Sequence, residues 1–226
     1  MRTQGEAGPA IELINVSRRF ISPAGEAFIT LRDFNMTVAR GEFVALVGPT
    51  GCGKSTTLNL ITGLGRPSSG EVRVMGQPVS GIDPRIGLDR FETHYPHQLS
   101  GGMRKRVALA QTFINGPEIL LMDEPFSALD VQTRVLMHEE LLRLWSEAKA
   151  SVVFVTHDLE EAIALADKVY VLTAGPATVK SVYTIDLPRP RVVADIRYEQ
   201  SFIDYSRTIW ADLKEEVETS YARAAA

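Results

Sequence analysis

Four short runs of the chain, "EFVALVG" (42–48), "EILLMDE" (118–124), "SVVFVTH" (151–157) and "KVYVL" (168–172), are apolar almost end to end. A strand with one wet face alternates apolar and polar residues. A continuous run marks a strand covered on both faces, as in a parallel sheet between helices. Helical patterns fall between the runs: "KSTTLNLITGL" after the first, "VQTRVLMHEELLRLWSEA" between the second and third, "LEEAIALAD" before the fourth. This alternation predicts an α/β fold. Ahead of it, "AIELINVSRRF" and "FITLRDFNMTV" read as half-exposed strands around Gly and Pro turns.

Composition narrows the setting. The 226 residues, 45% hydrophobic, suffice for one large domain or two small ones, with a sizeable core. A formal net charge of -4 argues against a nucleic-acid partner. The single cysteine, Cys52, excludes an intramolecular disulfide and fits a reducing compartment. No apolar run approaches the roughly 18 residues of a membrane span, and the polar "MRTQGEAGPA" lacks a signal peptide's apolar stretch. The expectation is a soluble cytoplasmic chain, for which any membrane role would come through a partner. The tail, 187–226, carries a stripe of Phe202, Tyr205, Ile209 and Leu213 at helical spacing. Such a stripe either packs on its own domain or presents a face to a partner.

The chemistry concentrates where strands end. "GPTGCGKST" comprises Gly48, Pro49, Thr50, Gly51, Cys52, Gly53, Lys54, Ser55 and Thr56, and fits G-x-x-x-x-G-K-[ST] between a buried strand and a helix. The backbone N–H groups of Gly51 to Thr56 can wrap a phosphate chain; glycine lets the backbone come close and take positive φ. Lys54 would reach the β- and γ-phosphates of such a chain, and Ser55 would ligate Mg²⁺. Cys52 reads as a tolerated loop residue, not a nucleophile. At the end of "ILLMDE", Asp123 is a second Mg²⁺ ligand and Glu124 a candidate base for the attacking water. The plainer reading of that pair is a solvated strand end. His157 follows the next strand and can donate to the γ-phosphate or the water. "LSGGM" lies before an apolar helix face of Met103, Val107, Ala110 and Ile114, so Ser100, Gly101 and Gly102 form a second anion-binding helix end.

"GPTGCGKST", "LSGGM", "ILLMDEP", "SALD" and "VTHD" occur in the order seen in ATP-binding cassette (ABC) transporter ATPase subunits, and the chain resembles them over nearly its whole length. "HYPHQLSGGMRKRVALAQ" and "DLPRPR" look like the nitrate, sulfonate and taurine importer branch. The resemblance implies a P-loop NTPase (RecA-like) core with a parallel sheet, an N-terminal antiparallel β-subdomain and a helical subdomain. It implies a head-to-tail homodimer in which Leu99 to Met103 of one subunit cover the ATP of the other. Asp130 runs along the dimer seam. It also implies permease subunits in the membrane, an extracytoplasmic solute-binding protein acting indirectly, and a position on the inner face of the membrane. Phe20 aligns with the adenine-stacking aromatic of the family; a core ring near the first strands is the other reading.

One interval departs from the family. "VSGIDPRIG" (79–87) runs directly into "LDRFETHYPHQLSGG", where a glutamine loop and most of a helical subdomain are expected. Residues 88–116 then read as a remnant of that subdomain. Gln77 comes too early and Gln98 belongs to the signature segment. Three functions compete: an importer ATPase, a truncated cassette that binds ATP without coupling it to transport, and a soluble ABC ATPase acting on DNA or ribosomes. The acidic balance and the lack of coiled coils or a second cassette disfavour the last.

Overall fold

The computed structural model describes residues 8–22, 25–81, 86–88, 109, 112–113 and 116–224. Two sheets form the frame. The first is antiparallel, in the order β2-β1-β4-β5: β1 (Ile11–Ile21), β2 (Ala27–Val38), β4 (Ser69–Val74) and β5 (Gln77–Pro78). The second has the order β10-β9-β3-β8-β7-β6: β3 (Phe43–Val47), β6 (Ile86–Leu88), β7 (Ile119–Asp123), β8 (Ser151–Val155), β9 (Lys168–Leu172) and β10 (Val179–Thr184). All its pairs are parallel except β9 with β10.

The four apolar runs are the four inner strands of this second sheet, which explains why they do not alternate. Phe43, Ala45 and Val47 enter one core cluster with Leu120, Met122, Val152 and Phe154. Their neighbours Val44 and Leu46 enter the other, with Ile119, Leu121, Val153 and Val155. Successive side chains of a strand point to opposite faces, so a strand buried on both sides must be apolar throughout. The first cluster is closed by α2 (Val131–Ala148), α3 (Leu159–Leu165), α4 (Val193–Ile196) and α5 (Gln200–Ala224). The second is closed by the antiparallel sheet and α1 (Lys54–Ile61). Among the described residues no helix is long and apolar enough to cross a membrane.

Caps place the helices beside the strand ends. The Asp130 side chain accepts the Thr133 N–H at 2.9 Å and starts α2. These bonds from Thr133 hold the Asp130 carboxyl below its ordinary value. Asp158 starts α3 by accepting from the Glu160 and Glu161 N–H groups. The tail stripe packs on its own domain: Phe202, Ile209 and Leu213 of α5 are buried in the first cluster.

"DLPRPR" also acquires a structural meaning. Arg191 is buried and has carbonyl acceptors all around its guanidinium. Nη1 donates to Ala166 O at 2.7 Å, with Ile163 and Ala164 nearby, and Nη2 to Ile185 O and Leu187 O. It thus caps the C-terminal end of α3, where the helix dipole is negative. Burial brings its pKa down to about 10, still charged at neutral pH. Arg189 pairs with Asp167 at 2.7 Å and lays its guanidinium 4.3 Å from the Trp145 ring centre.

Candidate functional site

The phosphate loop leaves β3 and enters α1. Gly48 and Pro49 are buried, Thr50 and Gly51 exposed, Cys52 and Gly53 buried again. Gly51 and Gly53 have φ of 76° and 125°. A Cβ on Gly53 would lie 2.8 Å from Leu31 Cδ2, so both conformation and space require glycine there. Lys54 is 7% exposed, and its ammonium sits on the loop's own carbonyls, 2.8 Å from Gly48 O and 3.0 Å from Pro49 O. The charge is therefore held at the centre of the loop. Ser55 is exposed and Thr56 half-buried on the first turn of α1. The Cys52 N–H turns inward to Pro49 O at 3.3 Å, so that amide serves the loop's own fold. Burial raises the Cys52 thiol above its ordinary value, which fits a packing residue and not a nucleophile.

Asp123 ends β7, one strand removed from β3 across β8, and its side chain is exposed. Glu124 follows with φ 46°, a left-handed conformation that costs a non-glycine residue about 1 kcal/mol. Its N–H continues the ladder to Val155 O at 2.9 Å. The turn sends its carboxylate toward His157, where Oε2 lies 3.3 Å from Nδ1. Both side chains are open to solvent, so this contact sets direction more than it adds stability. Ser55 and Asp123 offer a hydroxyl and a carboxylate. Among the described residues no group of three His, Cys, Asp or Glu converges to cage an ion. Two hard oxygen donors with open positions suit Mg²⁺, which keeps waters and shares itself with nucleotide phosphates.

Phe20 lies on β1 opposite Phe28 of β2, ring centres 5.5 Å apart, with the Arg18 guanidinium 4.5 Å from its ring. Arg18 itself pairs in register with Leu31, the residue that meets Gly53. Phe20 thus belongs to the end of the antiparallel sheet beside the phosphate loop. Gln77 belongs to β5, an exposed strand of the antiparallel sheet, away from the ends of the parallel strands. Leu99, Ser100, Gly101, Gly102 and Met103 lie outside the described residues, as does Gln98.

The family model for ABC transporters matches residues 31–91 and again 82–127. An ABC transporter ATP-binding protein of Methanocaldococcus jannaschii, itself uncharacterised, is 38% identical, covering 85% of this chain and 87% of its own length. The chain belongs to the ABC transporter ATP-binding family. The nitrate import ATP-binding protein NrtD of Synechocystis is 36% identical to this cassette over 88% of the chain and 93% of its own length. Among solved structures, the ATP-binding cassette MJ0796, captured as a dimer in a post-hydrolysis state with ADP and Pi, superposes with a TM-score of 0.66 at 27% identity. It covers 79% of this chain and all of the other. The cassette core is accordingly a P-loop NTPase fold.

Behind the exposed pair, the cassette holds a layer that the sequence alone does not reveal. Arg134 of α2 donates to Asp158 at 3.2 Å and to Leu129 O at 3.0 Å, tying the turn before α2 to the segment after β8. His138 Nε2 lies 2.6 Å from Glu161 Oε1, and Glu161 Oε2 accepts the Thr156 hydroxyl. These struts join residues 23 and 24 positions apart on different elements. Only the register of α2 against α3 brings them together, and no local motif announces it.

Proposed function

We propose that this chain is the ATP-binding and ATP-hydrolysing subunit of an ABC importer for a small solute such as nitrate, a sulfonate or taurine. The observation that carries the reading is the placing of the buried Lys54 loop and the Glu124–His157 pair on ends of strands in one parallel sheet. Bound ATP would supply the phosphoryl group, and Mg²⁺ held by Ser55 and Asp123 would neutralise its charge. The chain's own residues do the rest. Lys54 trades the Gly48 and Pro49 carbonyls for β- and γ-phosphate oxygens. Ser55 and Asp123 hold the metal side, Glu124 takes the proton of the attacking water, and His157 orients that carboxylate. Phe20 stacks on the adenine. Leu99 to Met103 of a second copy close over the nucleotide, and Asp130 lines the seam. The homodimer then works against permease subunits on the inner face of the membrane, with a solute-binding protein delivering cargo outside.

A second reading, a cassette that binds ATP without driving transport, is favoured by the interval after residue 87. The family model matches as two overlapping stretches that meet at 82–91. The pairing with the M. jannaschii relative runs over 237 positions, more than the chain's 226 residues, so the relative carries stretches with no counterpart here. Neither Gln77 nor Gln98 occupies the expected glutamine position. Binding of a fluorescent ATP analogue and phosphate release, measured on wild type and Lys54→Ala, test both readings. Loss of binding and turnover in the variant is expected. Binding at the wild-type level in Lys54→Ala would remove the loop from the site. Binding without turnover in wild type would select the second reading.

A further inference from the structure

We infer that Glu216 and Arg223, on the C-terminal turns of α5, are positioning residues for the phosphate loop, and their value to ATP binding rests on the reading above. α5 is anchored by apolar side chains as far as Leu213, with Val217 partly buried against the same core. Its last turns instead grip a turn of backbone. Glu216 Oε2 accepts the Ala174 N–H at 2.8 Å, and Arg223 Nη1 donates to Ala174 O at 2.9 Å and to Gly175 O. The second Glu216 oxygen pairs with Lys180 of β10 at 2.9 Å, and the Glu216 side chain is 13% exposed. The segment between β9 and β10 is thus held at the N–H and the carbonyl of one residue.

The same segment reaches the loop along two routes. Ala177 N–H donates to Thr30 O at 2.7 Å, and Ala177 O accepts the Arg32 N–H at 2.9 Å. This bridge, Leu31 beside Ala177, links the parallel sheet to β2. Leu31 and the Thr30 carbonyl are the atoms packed against Gly53. On the other route, Leu172 at the end of β9 packs its Cβ and carbonyl against Gly48. One end of the phosphate loop therefore packs on β2 residues hydrogen-bonded to the segment that Glu216 and Arg223 hold, and the other end on Leu172, the strand residue from which that segment leaves. Backbone hydrogen bonds of this kind fix a geometry that apolar contact alone leaves loose.

The test uses the full chain without nucleotide. Hydrogen–deuterium exchange is followed in peptides covering 28–33 and 47–57 of Glu216→Ala, Arg223→Ala and the control Lys214→Ala. Lys214 pairs only loosely with Glu218, at 3.7 Å, on the solvent side of the same helix. Exchange in both peptides is expected to rise about tenfold in the first two variants and not in the control. Affinity for the ATP analogue should fall about tenfold in the same two variants. Glu216→Gln and Arg223→Lys, which keep an acceptor and a donor, should recover most of it. Faster exchange confined to α5 and 173–178, with 47–57 unchanged, would overturn the inference. A loosened 47–57 in a protein that binds no ATP even as wild type would retire the ATP reading and leave the positioning intact.

Discussion

At residue 124 the backbone turns left-handed to aim a carboxylate at His157. Glutamine at this position keeps the size and the turn but cannot take a proton. Glu124→Gln is therefore expected to retain ATP affinity, slow hydrolysis by about 10²-fold or more, and accumulate an ATP-bound dimer on size exclusion. Normal turnover would place the base elsewhere. The placing of Asp123, Glu124 and His157 at the ends of buried strands, and of Lys54 and Ser55 at the start of the helix after β3, was legible in the sequence because the apolar runs fix where those strands end. Phe20 was legible only as a ring near the first strands. Its neighbours Phe28 and Arg18 come from the β1–β2 register, which bulges at Arg18 and cannot be counted from residue spacing. His138 gave no signal at all, since an isolated histidine in a helix says nothing about a glutamate on another one.

Among the elements, the two-sided strands β3, β7, β8 and β9 and the long strands β1 and β2 were readable, and the short or mixed strands were not. β5 and β6 span two and three residues, and β10 mixes half-buried with exposed positions, so neither length nor periodicity marks them. α2 was readable to its ends because Asp130 caps it and Lys149 stops it with φ 51°. The role of Arg191 was hidden, since its partners are carbonyls that any sequence supplies. Arg191→Met should cost about 3 kcal/mol in urea unfolding, because it leaves buried carbonyls at the end of α3 without donors. Arg191→Lys should recover only part, an ammonium having three donors in place of the guanidinium's five. A second expectation concerns Lys180. Its hydrogen bond to Glu215, with Glu216 close by, pushes its pKa up from 10.5 to about 12. A raised folded-state pKa means that the pair's contribution is complete below 10.5 and disappears as pH climbs through about 12. The melting-temperature gap between wild type and Lys180→Met should hence be flat up to 10.5 and close across that window. A gap that stays open at the alkaline end would show that Lys180 contributes by packing alone.

For the molecule as a whole, the decisive place is the Gly87–Leu88 junction, which falls inside β6 at the edge of the parallel sheet. Inserting a family-like stretch between Gly87 and Leu88 is expected to leave ATP affinity nearly unchanged, because the phosphate loop and the inner strands lie elsewhere. The ATPase rate and solute uptake with the membrane partner should rise. Uptake by the 226-residue chain equal to that of the lengthened one would sink the second functional reading. The order of the parallel sheet bears on how the chain is made. β3 is flanked by β8 and β9, so Phe43 finds its partner Val152 only after about 110 further residues have been synthesised. At roughly 5–20 residues per second, that wait lasts on the order of 5–20 s. During it "FVALV", every residue of which ends buried, has no strand to join. The antiparallel sheet, whose longest strands are complete by Val74, can form in the meantime and shelter one face of β3. The other face is closed by α2 and the helices after it, so a ribosome stalled before Val155 holds a nascent chain in which β3 has no partner strand and one apolar face uncovered, the kind of segment a chaperone binds.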